Sequence, residues 1–194
     1  EVRKASGFTV EYGPVRAEDL PEYLKTHQAT AQMRKVRFNL RDRLVLSPVD
    51  VTQNLLPLLV SMGIGFLIGG VPYMLAAMTV ILSGVVLFPA LLPWLPTKDF
   101  SSKGGFLGVL AALPFVLSVV LGHADWSWYR QLGQAAGYLL AMPAAIAFIS
   151  LNFTGSSTFT SVVGVRKEIY KYIRPMAVLF ALGLISLIVF AFVK

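Results

Sequence analysis

Cysteine is missing from this chain, which excludes disulfides, thiolate metal sites and a cysteine nucleophile within it. Histidine is nearly missing too. His27 and His123 lie far apart without metal-ligand spacing, which argues against a zinc or haem site. Charge is scarce: Asp, Glu, Lys and Arg make up 14% of the 194 residues, against about 25% in a soluble domain. No cleavable signal peptide is visible, because the segment before the first apolar run is polar and charged. What fills the chain instead is apolar: 56% of residues are hydrophobic, and mean hydropathy is +0.68. This is the composition of an integral membrane protein. The net charge of +7 reads as membrane topology rather than as nucleic-acid binding, because the charges cluster in a few connections.

Five apolar runs are long enough to cross a hydrocarbon core about 30 Å thick. They span Val51 to Gly70, Val71 to Leu95, Gly104 to Leu121, Gly133 to Phe153 and Met176 to Val193. None contains Asp, Glu, Lys, Arg or His, which counts against ion-coupled transport. The first two abut at Gly69-Gly70-Val71-Pro72, a tight helical turn. The third is among the shortest. Gly65 and Gly69, Gly104 and Gly108, and Gly133 and Gly137 form small-xxx-small pairs, which bring helices close and leave room for homo-oligomers. Pro57, Pro89, Pro114 and Pro143 mark either broken-helix transport elements or tolerated membrane prolines. The six methionines read as packing rather than as soft metal ligands.

Charge sets the direction. Counted over alternate connections, fifteen Lys and Arg fall on the N-terminal side and two on the other. The positive-inside rule then places the N-terminus, the Pro96 to Lys103 loop and the loop after Phe153 in the cytoplasm, with the C-terminus outside. Trp126, Trp128 and Tyr129 suit an outer interfacial belt and Trp94 an inner one.

The segment before the first span has a different pattern. Phe8, Val10 and Tyr12 alternate with Thr9 and Glu11, as in a short strand ending at Gly13-Pro14. "AEDLPEYLKTHQ" predicts a short helix, acidic at its start and basic near its end. Val36, Phe38 and Leu40 alternate with basic and polar residues, predicting a second strand that Arg41-Asp42-Arg43 turns back into a hairpin. This basic stretch is either a positive-inside anchor or a docking surface for a soluble domain, a partner or anionic lipid. The expectation is an all-α membrane protein: a bundle of five transmembrane helices preceded by a short cytoplasmic α/β remnant. Residues 1–30 are the last strand and helix of an α/β domain, 31–50 a basic docking segment, and 51–194 the bundle. A start at Glu1 rather than Met reads as a piece of something longer.

One connection stands out. Six of the eight residues from Thr154 to Ser161 are Ser or Thr. They cap the helix leading into the last span, or they contact something on the cytoplasmic side. Asn152-Phe153-Thr154 matches a glycosylation sequon, which a cytoplasmic membrane edge discounts.

"YGPVRAEDLPEYL", "MRKVRFNLRDRLVLSPVD" and "NFTGSSTFTSVVGVRKE" together resemble the C-terminal membrane region of the mercury-methylation corrinoid protein family. The last motif is also similar to a stretch in the large corrinoid iron–sulfur subunit of the acetyl-CoA pathway. The resemblance spans most of the chain from about Gly7 onward. It implies a bacterial or archaeal inner-membrane protein in which a cytoplasmic corrinoid domain passes a methyl group to Hg(II), giving methylmercury. It implies a ferredoxin-like partner with two 4Fe–4S clusters that returns cobalt to its reduced state. It also makes Thr154, Gly155, Ser156, Ser157, Thr158 and Thr160 candidates for contact with the corrinoid or the domain holding it, with Arg166 and Lys167 adding charge. The family's cobalt-ligating cysteine has no counterpart here. The corrinoid is therefore expected to be bound mainly by a domain missing from this chain, which has no catalytic or metal-ligating residue of its own. A related one-carbon methyl carrier with another acceptor, or a small transporter that is not ion-coupled, are the alternative functions.

Overall fold

The computed structural model describes residues 6–8, 12–35, 39–45, 47–123, 125–153 and 162–192. It divides the chain into two compact units, residues 1–39 and 40–194. Among the described residues every element is helical and none is a strand.

In the first unit a 3-10 turn, Ala17–Asp19, leads into α1, Leu20–Thr26. Pro21 sits in the first turn of α1, where its missing N–H is not needed. The helix stops at His27, which adopts φ 52° and whose amide bonds to the Tyr23 carbonyl. The Val15 amide bonds to the Met33 carbonyl at 2.9 Å and closes the unit over the helix.

The α/β remnant finds no support among the described residues. Gly7, Phe8 and Tyr12 are not in a strand, while Thr9 to Glu11 lie outside the described residues. The expected hairpin is replaced by two helices, α2 (Leu40–Leu44) and α3 (Ser47–Gln53). Val36 to Phe38 and Leu46 lie outside the described residues. The local chemistry explains the helices. Ser47-Pro48 opens α3 with Asp50 in its first turn, a helix-start pattern. Arg43 is drawn into a buried contact that an exposed hairpin turn would not provide.

The second unit holds the bundle. Helix α3 continues after a 53° bend at Asn54 into α4, Leu55–Gly69. The α4–α5 turn is as tight as the sequence implies: Gly70 has φ 72° and ψ −153°, and α5 starts directly at Val71. Such a backbone suits only glycine. Helix α5 runs Val71–Leu91, α6 Phe100–Gly122 and α7 Trp128–Asn152. Helix α8 runs Val162–Phe192. Among the described residues four helices are long and apolar enough to cross a membrane, and the bent α3–α4 pair makes up to five. The chain is a multi-pass helical membrane protein.

Several helices outrun the charge-free segments read from the sequence. Helix α6 extends back through Lys103 to Phe100, α7 back through Arg130 to Trp128, and α8 back through its basic stretch to Val162. A charge-free run measures what hydrocarbon tolerates, whereas a helix continues until its capping changes. Within α5, Ser83–Leu87 widens into a π-helical turn. Pro89 follows it; a proline ring clashes with the carbonyl four residues earlier, here Val85, and the wider turn makes room.

Ala76, Ala112, Val119, Tyr138, Ala141, Met142 and Leu187 form the core where α5 to α8 meet. The Tyr73 hydroxyl lies 2.8 Å from Gln134 Oε1 and 2.9 Å from the Leu187 carbonyl, sharing one proton between two acceptors. The glycine pairs are consumed inside the chain. A Cβ at Gly108 would overlap the Pro143 backbone, and one at Gly133 would overlap the Phe190 ring. These are crossings between helices of one molecule, α6 with α7 and α7 with α8.

Candidate functional site

One end of the bundle gathers most of its polar chemistry. It is built from α2, α3, the end of α5, the start of α6, the end of α7 and the start of α8. Arg43, only 5% exposed, donates from Nη1 to the carbonyls of Ala90 at 2.9 Å and Pro89 at 3.2 Å. Its guanidinium also lies 5.9 Å from the Trp94 ring centre. The last carbonyls of a helix carry partial negative charge and lack intrahelical donors, so they offset part of the cost of burying this arginine. Lys103 does the same from α6, donating from Nζ to the Leu92 carbonyl at 2.9 Å.

The start of α6 is capped from α8. The Glu168 carboxylate accepts from the Ser101 amide at 2.6 Å. Asp99, just before α6, accepts from Lys171 Nζ at 2.9 Å and from the Tyr172 hydroxyl at 2.7 Å. Those hydrogen bonds, Lys171 first and Tyr172 second, hold the Asp99 carboxyl below the usual carboxylate range. Three hydrogen bonds thus fix the basic start of α8 against Asp99 and the first turn of α6.

Beside this cluster, a polar pocket of about 380 Å³ opens between the α3–α4 bend, the π turn and the end of α7. Asp50, Gln53, Asn54 and Asn152 line it together with Gly84 and Phe153. The bend turns the Asp50, Gln53 and Asn54 face toward Asn152. The Asn54 side-chain amide nitrogen donates to the Asp50 carbonyl at 2.8 Å, which also accepts from the Asn54 backbone N–H at 3.0 Å. Among the described residues that line the pocket, Asp50 is the charged one.

Thr154, Gly155, Ser156, Ser157, Thr158 and Thr160 lie outside the described residues. Phe153, which leads into them, is buried at the edge of the polar pocket. Arg166 and Lys167 are exposed on the first turns of α8. Sequence reading missed the pocket itself. Its signal was present as Asp50, Gln53 and Asn54, spaced three and four apart on one helical face, but their convergence with Asn152 depends on the bend.

The described residues do not fit a corrinoid. The pocket is at the small end for organic ligands, which take roughly 300–1,000 Å³. Among the described residues no three of His, Cys, Asp and Glu come together, and the chain offers no thiol for cobalt.

No family model, curated protein or solved structure matches the chain.

Proposed function

We propose that this chain is the membrane domain of a corrinoid-dependent methyltransferase acting on Hg(II), with the role of anchoring and docking a corrinoid-binding domain rather than doing the chemistry. The observation that carries this reading is the convergence at the polar end. The bundle begins there at Leu40, and α7 leads there into the hydroxyl-rich stretch. The Arg43, Lys103 and Glu168 contacts make that end rigid. Three sequence motifs support the reading: the stretches around Tyr12 to Leu24, Met33 to Asp50 and Asn152 to Glu168. The charge distribution supports a cytoplasmic polar end, where a corrinoid domain and a reducing ferredoxin-like partner would have access. The residues Thr154, Gly155, Ser156, Ser157, Thr158 and Thr160 are proposed as contacts to that domain or its cofactor.

The test uses the native full-length polypeptide. Corrinoid bands that shift on reduction, with Hg(II) methylation lost when the bundle is replaced by an unrelated anchor, support a docking role. Full activity with the unrelated anchor reduces the bundle to a tether. Corrinoid bands with a different methyl acceptor point to a related one-carbon carrier. A colourless intact protein from corrinoid-supplied cells overturns the reading.

The bend at Asn54 and the π turn beside a polar pocket favour a second reading, passage of a small uncharged species. Broken helices at a polar site are a transporter device. Flux of a neutral mercury–thiolate complex into vesicles, above that of protein-free vesicles, would support it.

A further inference from the structure

We propose that the bundle holds a bilayer lipid with a primary-ammonium headgroup, its head in the polar pocket and an acyl chain in the apolar cavities that continue from it. This inference does not rest on the corrinoid reading.

The head site follows from charge. Asp50 supplies a carboxylate, and Gln53, Asn54 and Asn152 supply amide oxygens around the same space. Among the described residues no ion pair engages Asp50. An ammonium with three N–H donors matches one carboxylate and several neutral acceptors. A quaternary choline head has no N–H to donate, and an anionic glycerol head would face Asp50 with like charge.

The tail site follows from adjacency. Ile149 lines both the polar pocket and an apolar cavity of about 360 Å³ between α7 and α8. Ala145 and Phe180 line that cavity and also a third one, of about 440 Å³, among α4, α5, α7 and α8. Just beyond the bend that carries Gln53 and Asn54 in the first pocket, Pro57 and Ser61 of α4 line the third cavity. A polar head pocket followed by apolar space along one seam is the shape of an amphiphile. A free amine would leave that apolar space unused.

The experiment is lipid retention by the full-length protein. It is reconstituted with equal amounts of ethanolamine, choline and glycerol phospholipids, exchanged into detergent, and the bound lipids are counted by mass spectrometry. The ethanolamine lipid is expected at about tenfold excess over the other two, the size of one charge-assisted hydrogen bond. Asp50→Asn is expected to remove the excess. Ala145→Phe, which fills the tail cavities, is expected to lower retention while leaving the head residues intact. Should Asp50→Asn fail to accumulate, the Gln53→Ala, Asn152→Ala double variant reads the same loss. Equal retention of the three lipids, preference for the glycerol lipid, or an unchanged excess in Asp50→Asn would overturn the proposal. So would competition by free ethanolamine as effective as that of the lipid, because the tail would then contribute nothing.

Discussion

Glu168 Oε1 sits 2.6 Å from the Ser101 amide, so a residue of α8 caps the N-terminus of α6 across 67 positions of sequence. The arrangement couples two helices through one bond. The first amides of α6 lack intrahelical acceptors and carry partial positive charge. Asp99, the residue before α6, makes no side-chain cap of its own, because its carboxylate is occupied by Lys171 and Tyr172. Glu168 is 8% exposed, so the amide has little water to turn to if the carboxylate is removed. Glu168→Ala is expected to destabilise the bundle by about 2 kcal/mol, the range for a lost hydrogen bond to a charged group. Glu168→Gln retains an acceptor and should lose about half as much. Thermal unfolding of the purified protein in detergent checks both.

The Asp99 contact gives a pH dependence with a definite sign. Its folded-state pKa is depressed by the Lys171 and Tyr172 hydrogen bonds. Its contribution is therefore present above the ordinary carboxylate pKa and lost as pH falls through the lower folded value. The window lies below about pH 4. In acid unfolding curves Asp99→Asn should flatten the acid limb and leave the neutral region little changed. Both partners are more than one-third exposed, so the effect is small and decreases with salt.

Two glycines should respond in opposite directions to the same change. At Gly108 a methyl group would meet the Pro143 backbone where α6 and α7 cross. Gly108→Ala is expected to destabilise by roughly 1–3 kcal/mol, as overpacking does. At Gly63, in α4, nothing lies within 4 Å of the added carbon. Gly63→Ala should be neutral or stabilise by about 0.5–1 kcal/mol through helix propensity. The melting temperatures of the two variants should bracket that of the parent protein.

Topology can be read with single cysteines. Lys98 and Asp125 are exposed in connections at opposite ends of α6. An impermeant maleimide should label Asp125→Cys in intact cells and Lys98→Cys only after lysis, if the positive-inside distribution sets orientation. Any other cysteine of the full-length polypeptide is replaced first. The reverse pattern would put the polar end outside and remove the basis for cytoplasmic docking there.

The span positions were legible because hydrocarbon imposes a long, charge-free run that few other structures need. Gly70 was legible for a similar reason: a two-helix turn without spare residues needs a backbone that glycine alone adopts. The stretch after Asn39 was misread because alternation over Val36, Phe38 and Leu40 is too short to outweigh the helix start at Ser47-Pro48. Nor does alternation report that Arg43 has carbonyls waiting at Pro89 and Ala90. The glycine pairs were legible as close contacts, but not whether the contact was within one molecule or between copies. The Asp50, Gln53 and Asn54 face was visible. Its opposition to Asn152 was not, since that depends on a 53° bend and a π turn whose combined direction no local pattern encodes.

Helix α8 contains 31 residues, which makes it about 46 Å long, well beyond the roughly 30 Å of hydrocarbon. Arg166, Lys167, Lys171 and Arg174 charge its first turns, and Pro175 marks where the charged part gives way to the apolar part. The helix therefore acts as a measured post. Its upper segment, residues 162–174, rises about 20 Å from Pro175 to the start of the helix. Adding or deleting one residue there would change that height by about 1.5 Å and turn the helix start by about 100° around the axis. Height and bearing are thus linked in this molecule, and only changes near a whole number of turns would alter one while preserving the other.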